Sequence, residues 1–264
     1  MAITILIPDA SIFLHAILAI SNFAGLKLFL WWNRSRFTLS ADGLIGGRIF
    51  LVLEGRQIYL SSDDDLFLCE VLATDFLSLF DDISLNFRSF LAIEIDHDTS
   101  LILAPTEVDN CFLTIRVVPQ EGVVRRMAIG GRSMIVGPLF EYVLGDNSSF
   151  QLPVLEYWRT VYIVRNNIRH VRVILRATEV SFAAESFLSL TTVAYSRFLT
   201  RYNGLSGVRL ENGVCYARFY LATVQVDSYY WASYSSRTVT ITQMGNGSDI
   251  RFHLGIGYIG YRFL

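Results

Sequence analysis

Apolar residues crowd two long stretches of the chain, and in each the spacing changes from helical to strand-like partway through. The first is SIFLHAILAISNFAGLKLFLWW, Ser11 to Trp32. Asp9, following Pro8, stands where an N-cap belongs, which predicts a helix to about Phe23 and a turn at Ala24-Gly25. Leu26 to Trp32 then reads as a strand. The same run invites a membrane reading, which needs about 20 predominantly apolar residues. His15, Ser21, Asn22, Gly25 and Lys27 interrupt it, and no basic segment precedes it as in a signal peptide. The pattern therefore favours a buried helix and strand over an anchor.

The second stretch is PVLEYWRTVYIVRNNIRHVRVILRATEVSFAAE, which repeats the order of helix and strand. Its helix is expected from Pro153 to about Asn167, with Val154, Tyr157, Val161, Val164 and Ile168 forming an apolar stripe. Setting Leu26 against Val171, an offset of 145, pairs Lys27 with Arg172, Leu28 with Val173, Leu30 with Leu175 and Phe37 with Phe182. A second pair of segments, ATDFLSLFDDISLNFRSFLAIEID and ATVQVDSYYWASYSSRTVTITQM, aligns Ile93 with Ile241 at an offset of 148. Two such similar offsets imply two tandem copies of one architecture.

Each copy also holds strand-like runs: GRIFLVLEGRQIYLSS, SLILAPTE and NCFLTIRVVP in the first, and SFLSLTTVAYSRFLT, VCYARFYLA and DIRFHLGIGYIGYRFL in the second. The expected fold is α+β, with each domain placing two helices on antiparallel sheets. Domain 1 is expected over 1–119 and domain 2 over 150–264. Between them, 120–149 contains paired glycines, a Gly-Pro step and a Gly-Asp-Asn turn, and part of it reads as a connector.

Composition narrows the function classes. With 52% hydrophobic residues in 264, the chain can build a sizeable core; 14% aromatic against 17% charged residues points to apolar surface covered within the fold or by other subunits. A formal net charge of -2 argues against coating nucleic acid through overall positive charge and leaves room for a local basic face. Cys69, Cys111 and Cys215 show neither a disulfide framework nor zinc spacing, and His15, His97, His170 and His253 lack ligand spacing. No metal or cofactor is expected. Sequons at Asn33, Asn147 and Asn246 are weak evidence for secretion, since chance supplies about one or two.

Catalytic motifs do not emerge. IDHDTS (Ile95 to Ser100) reads as a strand end, and GLSG and GLIGGR as turns lacking the spacing of a nucleophile elbow or phosphate loop. Asp63 to Asp65 and Asp81-Asp82 lack the order of a calcium loop, and no triad-like spacing is visible. No enzymatic activity is expected. The polar side of the second helix carries Arg159, Thr160 and Asn166, with Arg165 on the flank and Arg169 and Arg172 beyond. Such a face can touch phosphates without reading bases, or can be an ordinary solvated surface.

The order of elements resembles the DNA sliding clamp family, in which each domain has two helices lining a ring's bore and antiparallel sheets outside it. VDSYYWASY, RTVTITQM, the GNGSD turn and the final strands IRFHLGIG and YIGYRFL resemble the replication clamp PCNA. NCFLTIRV, RRMAIGGRSMIVGPLFEYVL and FQLPVLEYWRTV resemble the Hus subunit of the heterotrimeric checkpoint clamp, the nine-one-one complex.

The resemblance implies a nuclear, non-enzymatic ring subunit acting in DNA damage checkpoint signalling and DNA repair. Its partners would be two other clamp subunits, double-stranded DNA held without sequence specificity, a clamp loader and repair or checkpoint proteins; no membrane is involved. Bore-facing residues would be Arg159, Arg165, Arg169, Arg172 and Lys27, with Arg34 and Arg36 contributing. Met134, Ile135, Val136, Leu139 and Phe140 of the connector would offer a docking groove, or simply pack the linker; the sequence leaves both open.

The first helix departs from the family's basic bore, having only His15, while Asp75, Asp81 and Asp82 precede Arg88 in the second. That favours a heteromeric ring over a homotrimeric replication clamp. SLILAPTE to NCFLTIRV, and the equivalent region of the second half, are the strands expected to pair edge to edge with neighbours. A secreted or viral all-β binding protein is the alternative from another class.

Overall fold

The structure is a computed structural model, and it describes residues 2–43, 47–54, 59–62, 67–81, 83, 90–98, 110–120, 123–133, 148–157, 159, 170–176, 179–185, 190–196, 206–209, 214–220, 238–244 and 247–263. The chain forms two compact units: Met1–Phe140 with Gly255–Ile259, and Glu141–Leu254 with Gly260–Leu264.

In the first unit, β1 (Ala2–Ile7) leads into α1 (Ala10–Phe23), then β2 (Ala24–Asn33), β3 (Arg36–Gly43), β4 (Arg48–Leu53), β5 (Tyr59–Ser62) and β6 (Phe67–Leu72). After α2 (Ala73–Ser78) come β7 (Leu91–Asp98), β8 (Asn110–Pro119) and β9 (Arg125–Ser133). The strands lie in the order β4-β3-β2-β6-β9-β8-β7-β1-β5, every neighbouring pair antiparallel.

Helix α1 begins as its sequence dictates. The Asp9 carboxylate accepts from the Ser11 N–H at 3.0 Å and from the Ser11 hydroxyl at 2.6 Å, satisfying a donor that the first turn leaves free. The expected turn at Ala24-Gly25 does not form. Ala24 is extended (φ -62°, ψ 139°) while its N–H still donates to the Ile20 carbonyl, so the helix passes directly into β2.

Alternation then sorts the strands, because successive side chains point to opposite faces. Leu28, Leu30 and Trp32 on β2, Leu39 and Ala41 on β3, and Ile49, Leu51 and Leu53 on β4 are fully buried, with Phe37 nearly so. Trp32 lies 4.3 Å from the Phe67 ring centroid and 6.4 Å from that of Phe37. Phe13 of α1 meets Phe80 edge to face at 5.6 Å, and Phe80 also packs on Phe76 of α2, joining the helices through aromatic contact.

The second unit contains β10 (Ser148–Pro153), β11 (His170–Arg176), β12 (Glu179–Glu185), β13 (Leu190–Ser196), β14 (Ser206–Arg209), β15 (Val214–Tyr220), β16 (Thr238–Met244), β17 (Gly247–Leu254) and the larger part of β18 (Gly257–Phe263). They run in the orders β14-β10-β16-β17-β18 and β13-β12-β11-β15.

Adding nine to each strand number of the first unit reproduces both of these orders. The internal repeat is thus a repeat of connectivity. Ile5 sits opposite Ile93 in the first unit and Phe150 opposite Ile241 in the second, preserving the offsets of 145 and 148. One alignment does not survive. Leu28 faces Ala41, whereas Val173 faces Phe182, so the second hairpin is the shorter and Phe37 and Phe182 are not equivalent.

One further expectation, about a strand edge, is overturned. The first unit has α1 and a short α2, whereas helical backbone in the second is described only at 154–157 and 159. The segment VDSYYWASY lies outside the described residues, as does SLILAPTE. NCFLTIRV is not an edge: β8 pairs with β7 on one side and with β9 on the other. Its apolar alternation marks a strand but carries no information about how many neighbours that strand acquires. Within the expected connector, Arg125–Ser133 forms β9, and 134–147 lies outside the described residues. No described helix is long and apolar enough to cross a membrane.

Candidate nucleic-acid and subunit interfaces

The expected basic residues occupy distinct settings. Lys27 on β2 is 56% exposed, and its Nζ lies 2.6 Å from Glu70 Oε1 on β6. Arg34 is exposed at the β2–β3 turn, where Asn33 Oδ1 accepts from the Ser35 N–H at 2.9 Å. Arg36 holds Glu54 Oε2 through Nε at 2.7 Å and Nη2 at 2.6 Å. Lys27 and Arg36 are therefore already paired with carboxylates, and a phosphate would have to compete for them.

In the second unit, Arg159 is 60% exposed and contacts Glu156 Oε1 at 2.7 Å, an i,i+3 pair along the helix that begins at residue 154. An exposed pair of this kind contributes about 0.2–0.5 kcal/mol, so it yields readily to another anion. Arg172 lies on β11, directly opposite Arg218 of β15 in the antiparallel register. Sequence reading missed Arg218; the alternation of VCYARFY marks the strand, but only its register identifies the partner. Arg165, Arg169 and the connector residues Met134, Ile135, Val136, Leu139 and Phe140 lie outside the described residues.

Helix α1 offers little for phosphate contact. Ser11 and His15 are buried, Ser21 and Asn22 are exposed, and His15 Nδ1–H donates to the Ser11 carbonyl at 2.7 Å. Its one basic side chain is thus turned to the helix's own backbone.

The sequence did not single out β9 for its arginines. Arg126, Ala128, Gly130 and Arg132 form its exposed face, alternating with Met127, Ile129 and Gly131. Arg126 stands opposite Arg116, which reaches Glu94 at 3.2 Å. Arg132 stands opposite Glu70 on β6. Arg125 Nη1 donates to the Leu79 carbonyl at 3.1 Å, tying the start of the strand to the residue that follows α2.

Pairing between β9 and β6 covers only Gly131, Arg132 and Ser133. Along 125–130 the other side of β9 has no described strand partner, while β8 follows it from Arg125 to Arg132.

Three groups complete the electrostatic picture. Fully buried Asp249 receives Arg262 Nε at 2.8 Å and Nη2 at 3.0 Å, and Arg251 Nη2 at 3.0 Å. His253 Nε2 and Thr240 Oγ1 are 2.8 Å apart. Burial pushes the Tyr157 phenol well above its ordinary value, and among the described residues its buried hydroxyl has no hydrogen-bond partner. Among the described residues no three His, Cys, Asp or Glu side chains gather as a metal site.

No protein-family model and no curated protein sequence matches the chain. Solved structures do. A PCNA2-PCNA3 complex from Sulfolobus tokodaii is similar with a TM-score of 0.65 and 14% identity, covering 98% of both chains. PCNA from Thermococcus kodakaraensis is similar with a TM-score of 0.68 and 11% identity, covering 99% of this chain and 98% of that one. The chain has the sliding-clamp fold.

Proposed function

We propose that this chain is a subunit of a ring that encircles double-stranded DNA and tethers other proteins to it. The observation that carries this reading is the duplicated nine-strand unit, matched over essentially the full length of chains named as PCNA. The mechanism is topological and requires no catalysis. A closed ring holds the duplex by encirclement, so each phosphate contact can be weak and indifferent to sequence. Arg159, the Arg172–Arg218 pair and, beyond the described residues, Arg165 and Arg169 are the groups assigned to those contacts. Lys27, Arg34 and Arg36 are secondary, since Lys27 and Arg36 already serve Glu70 and Glu54.

The finer reading is a heterotrimeric, nuclear checkpoint clamp acting in damage signalling and repair, with a clamp loader and client proteins docking at residues 134–140. The uncharged exposed positions of α1 support a heteromer, because three identical copies would repeat this neutral stretch. The competing reading is a homotrimeric replication clamp, which sedimentation of the purified chain distinguishes by mass.

Retention on DNA tests the central claim. The assembled ring, loaded on nicked circular duplex, should remain bound through a salt wash and leave once the circle is linearised. Equal release from circular and linear DNA would remove encirclement as the mechanism.

A further inference from the structure

We infer that Lys27 is a site of acylation, and that losing its charge passes Glu70 to Arg132. The chain holds 22 lysine and arginine residues, of which 21 are arginine and one, Lys27, is lysine. Lysine is ordinarily among the commonest residues, so this imbalance is pronounced. A guanidinium stays protonated and does not take an acyl group, whereas an ε-amine does. Acyl transfer to the side chains of this protein therefore has one amine to reach.

That amine stands on a distorted part of β2. Ala24 pairs with Gly43 and Leu28 with Ala41, so β2 advances four residues while β3 advances two. Bulges of this kind re-aim side chains out of the regular alternation. Lys27 keeps its place opposite Leu72 of β6 and is half exposed. Leu26, which precedes it, and Leu72 are both exposed, so an acyl chain laid on this surface covers apolar area now open to water.

Glu70 makes the loss of charge consequential. Its Oε1 lies 2.6 Å from Lys27 Nζ, and its side chain is 17% exposed. In the ladder it stands directly opposite Arg132 of β9. Arg132 is exposed and makes no ion pair among the described residues. One carboxylate thus lies between two cations, and the lysine holds it. Once Lys27 is an amide, Arg132 is the cation left across from Glu70, and opposite charges facing each other across strands attract. The described pairing of β6 with β9 runs through Gly131, Arg132 and Ser133, so the new ion pair falls at the middle of that short ladder and tightens it.

In the transfer, the Nζ lone pair attacks the carbonyl carbon of an acyl thioester of the acetyl coenzyme A type, held by an acyltransferase. A C–N bond forms and the C–S bond breaks. Of the two protons the ammonium gives up, one leaves through the enzyme's base and the other goes to the departing thiolate; nothing is oxidised or reduced.

The test incubates the full chain, and separately an N-terminally blocked peptide of residues 25–30, with acetyl coenzyme A and a purified lysine acetyltransferase, and maps the products by mass spectrometry. Lys27 in the folded chain should react within about tenfold of the peptide rate, because an exposed ion pair shields an amine only weakly. A chain carrying Nε-acetyllysine at position 27 should then show amide exchange at 131–133 slowed at least about threefold, and Lys27→Gln should reproduce the slowing. Lys27→Arg, which keeps the charge, should show none, and adding Arg132→Ala to the acetylated chain should abolish it. Acetylation more than about tenfold slower than in the peptide, exchange at 131–133 that acetylation leaves unchanged, or slowing that survives Arg132→Ala overturns the inference. Retention on DNA enters none of these readouts, so the ring reading stands or falls separately.

Discussion

A Cβ placed on Gly131 would stand 2.5 Å from the Sγ of Cys69, closer than carbon and sulfur can approach. The same atom would meet the Glu70 carbonyl at 3.1 Å and Val71 Cγ1 at 3.2 Å, so glycine is what allows β9 to close against β6.

Gly131→Ala should therefore destabilise the first unit by about 1–3 kcal/mol, the usual cost of overpacking. Chemical denaturation would measure it. Adding Cys69→Ala should recover part of the loss by removing the nearest obstacle; no recovery would place the strain in the Glu70 backbone instead.

Asp249→Asn should be the more damaging change in the second unit. It removes the negative charge that Arg251 and Arg262 share around a fully buried carboxylate. Breaking one side of a buried ion cluster costs about 3–5 kcal/mol. A melting temperature within a degree or two of the unmutated protein would show that the arginines find other partners.

Tyr157 sets a dependence on alkaline pH. Its folded-state pKa is raised by burial above the ordinary value of 10.0, so the folded protein holds the phenolic proton longer than the unfolded one. The contribution to stability is complete below pH 10 and falls as pH rises beyond it. Tyr157→Phe should flatten that decline in melts between pH 8 and 11 and, by deleting a buried hydroxyl that has no partner among the described residues, should cost little or nothing at neutral pH.

On DNA, Arg159→Glu combined with Arg165→Glu should weaken retention of the assembled ring while leaving subunit association intact. Charge reversal at Arg172 and Arg218 should add to the effect and reduce the salt dependence of binding. Binding competition at low salt is the measurement, and unchanged retention would move the DNA contact elsewhere.

The local features were legible because they depend on neighbours in sequence: Asp9 capping α1, the strand alternation of β2 to β4 and the spacing of the repeat. The β8 edge was misjudged because strand order depends on pairings between distant segments. Arg172–Arg218 and Gly131–Cys69 escaped for the same reason, each joining residues roughly 46 and 62 positions apart that meet only through register. The arginines of β9 were visible in RRMAIGGRS, but their meaning depended on the residues that stand across from them on β6 and β8.

The shift of nine in strand numbering also creates a hazard during refolding. β1 and β10 occupy equivalent berths, each flanked by two strands of the same rank, so a collapsing chain can lodge one where the other belongs. Such an exchange would be a kinetic trap, compact and hydrogen-bonded but wrongly threaded. Divergence between the copies works against it: β1 reads AITILI, whereas β10 reads SSFQLP and ends in a proline that has no N–H to offer a ladder. The weak likeness between the halves thus acts as proofreading, letting one plan be used twice in a chain without its parts being mistaken for one another.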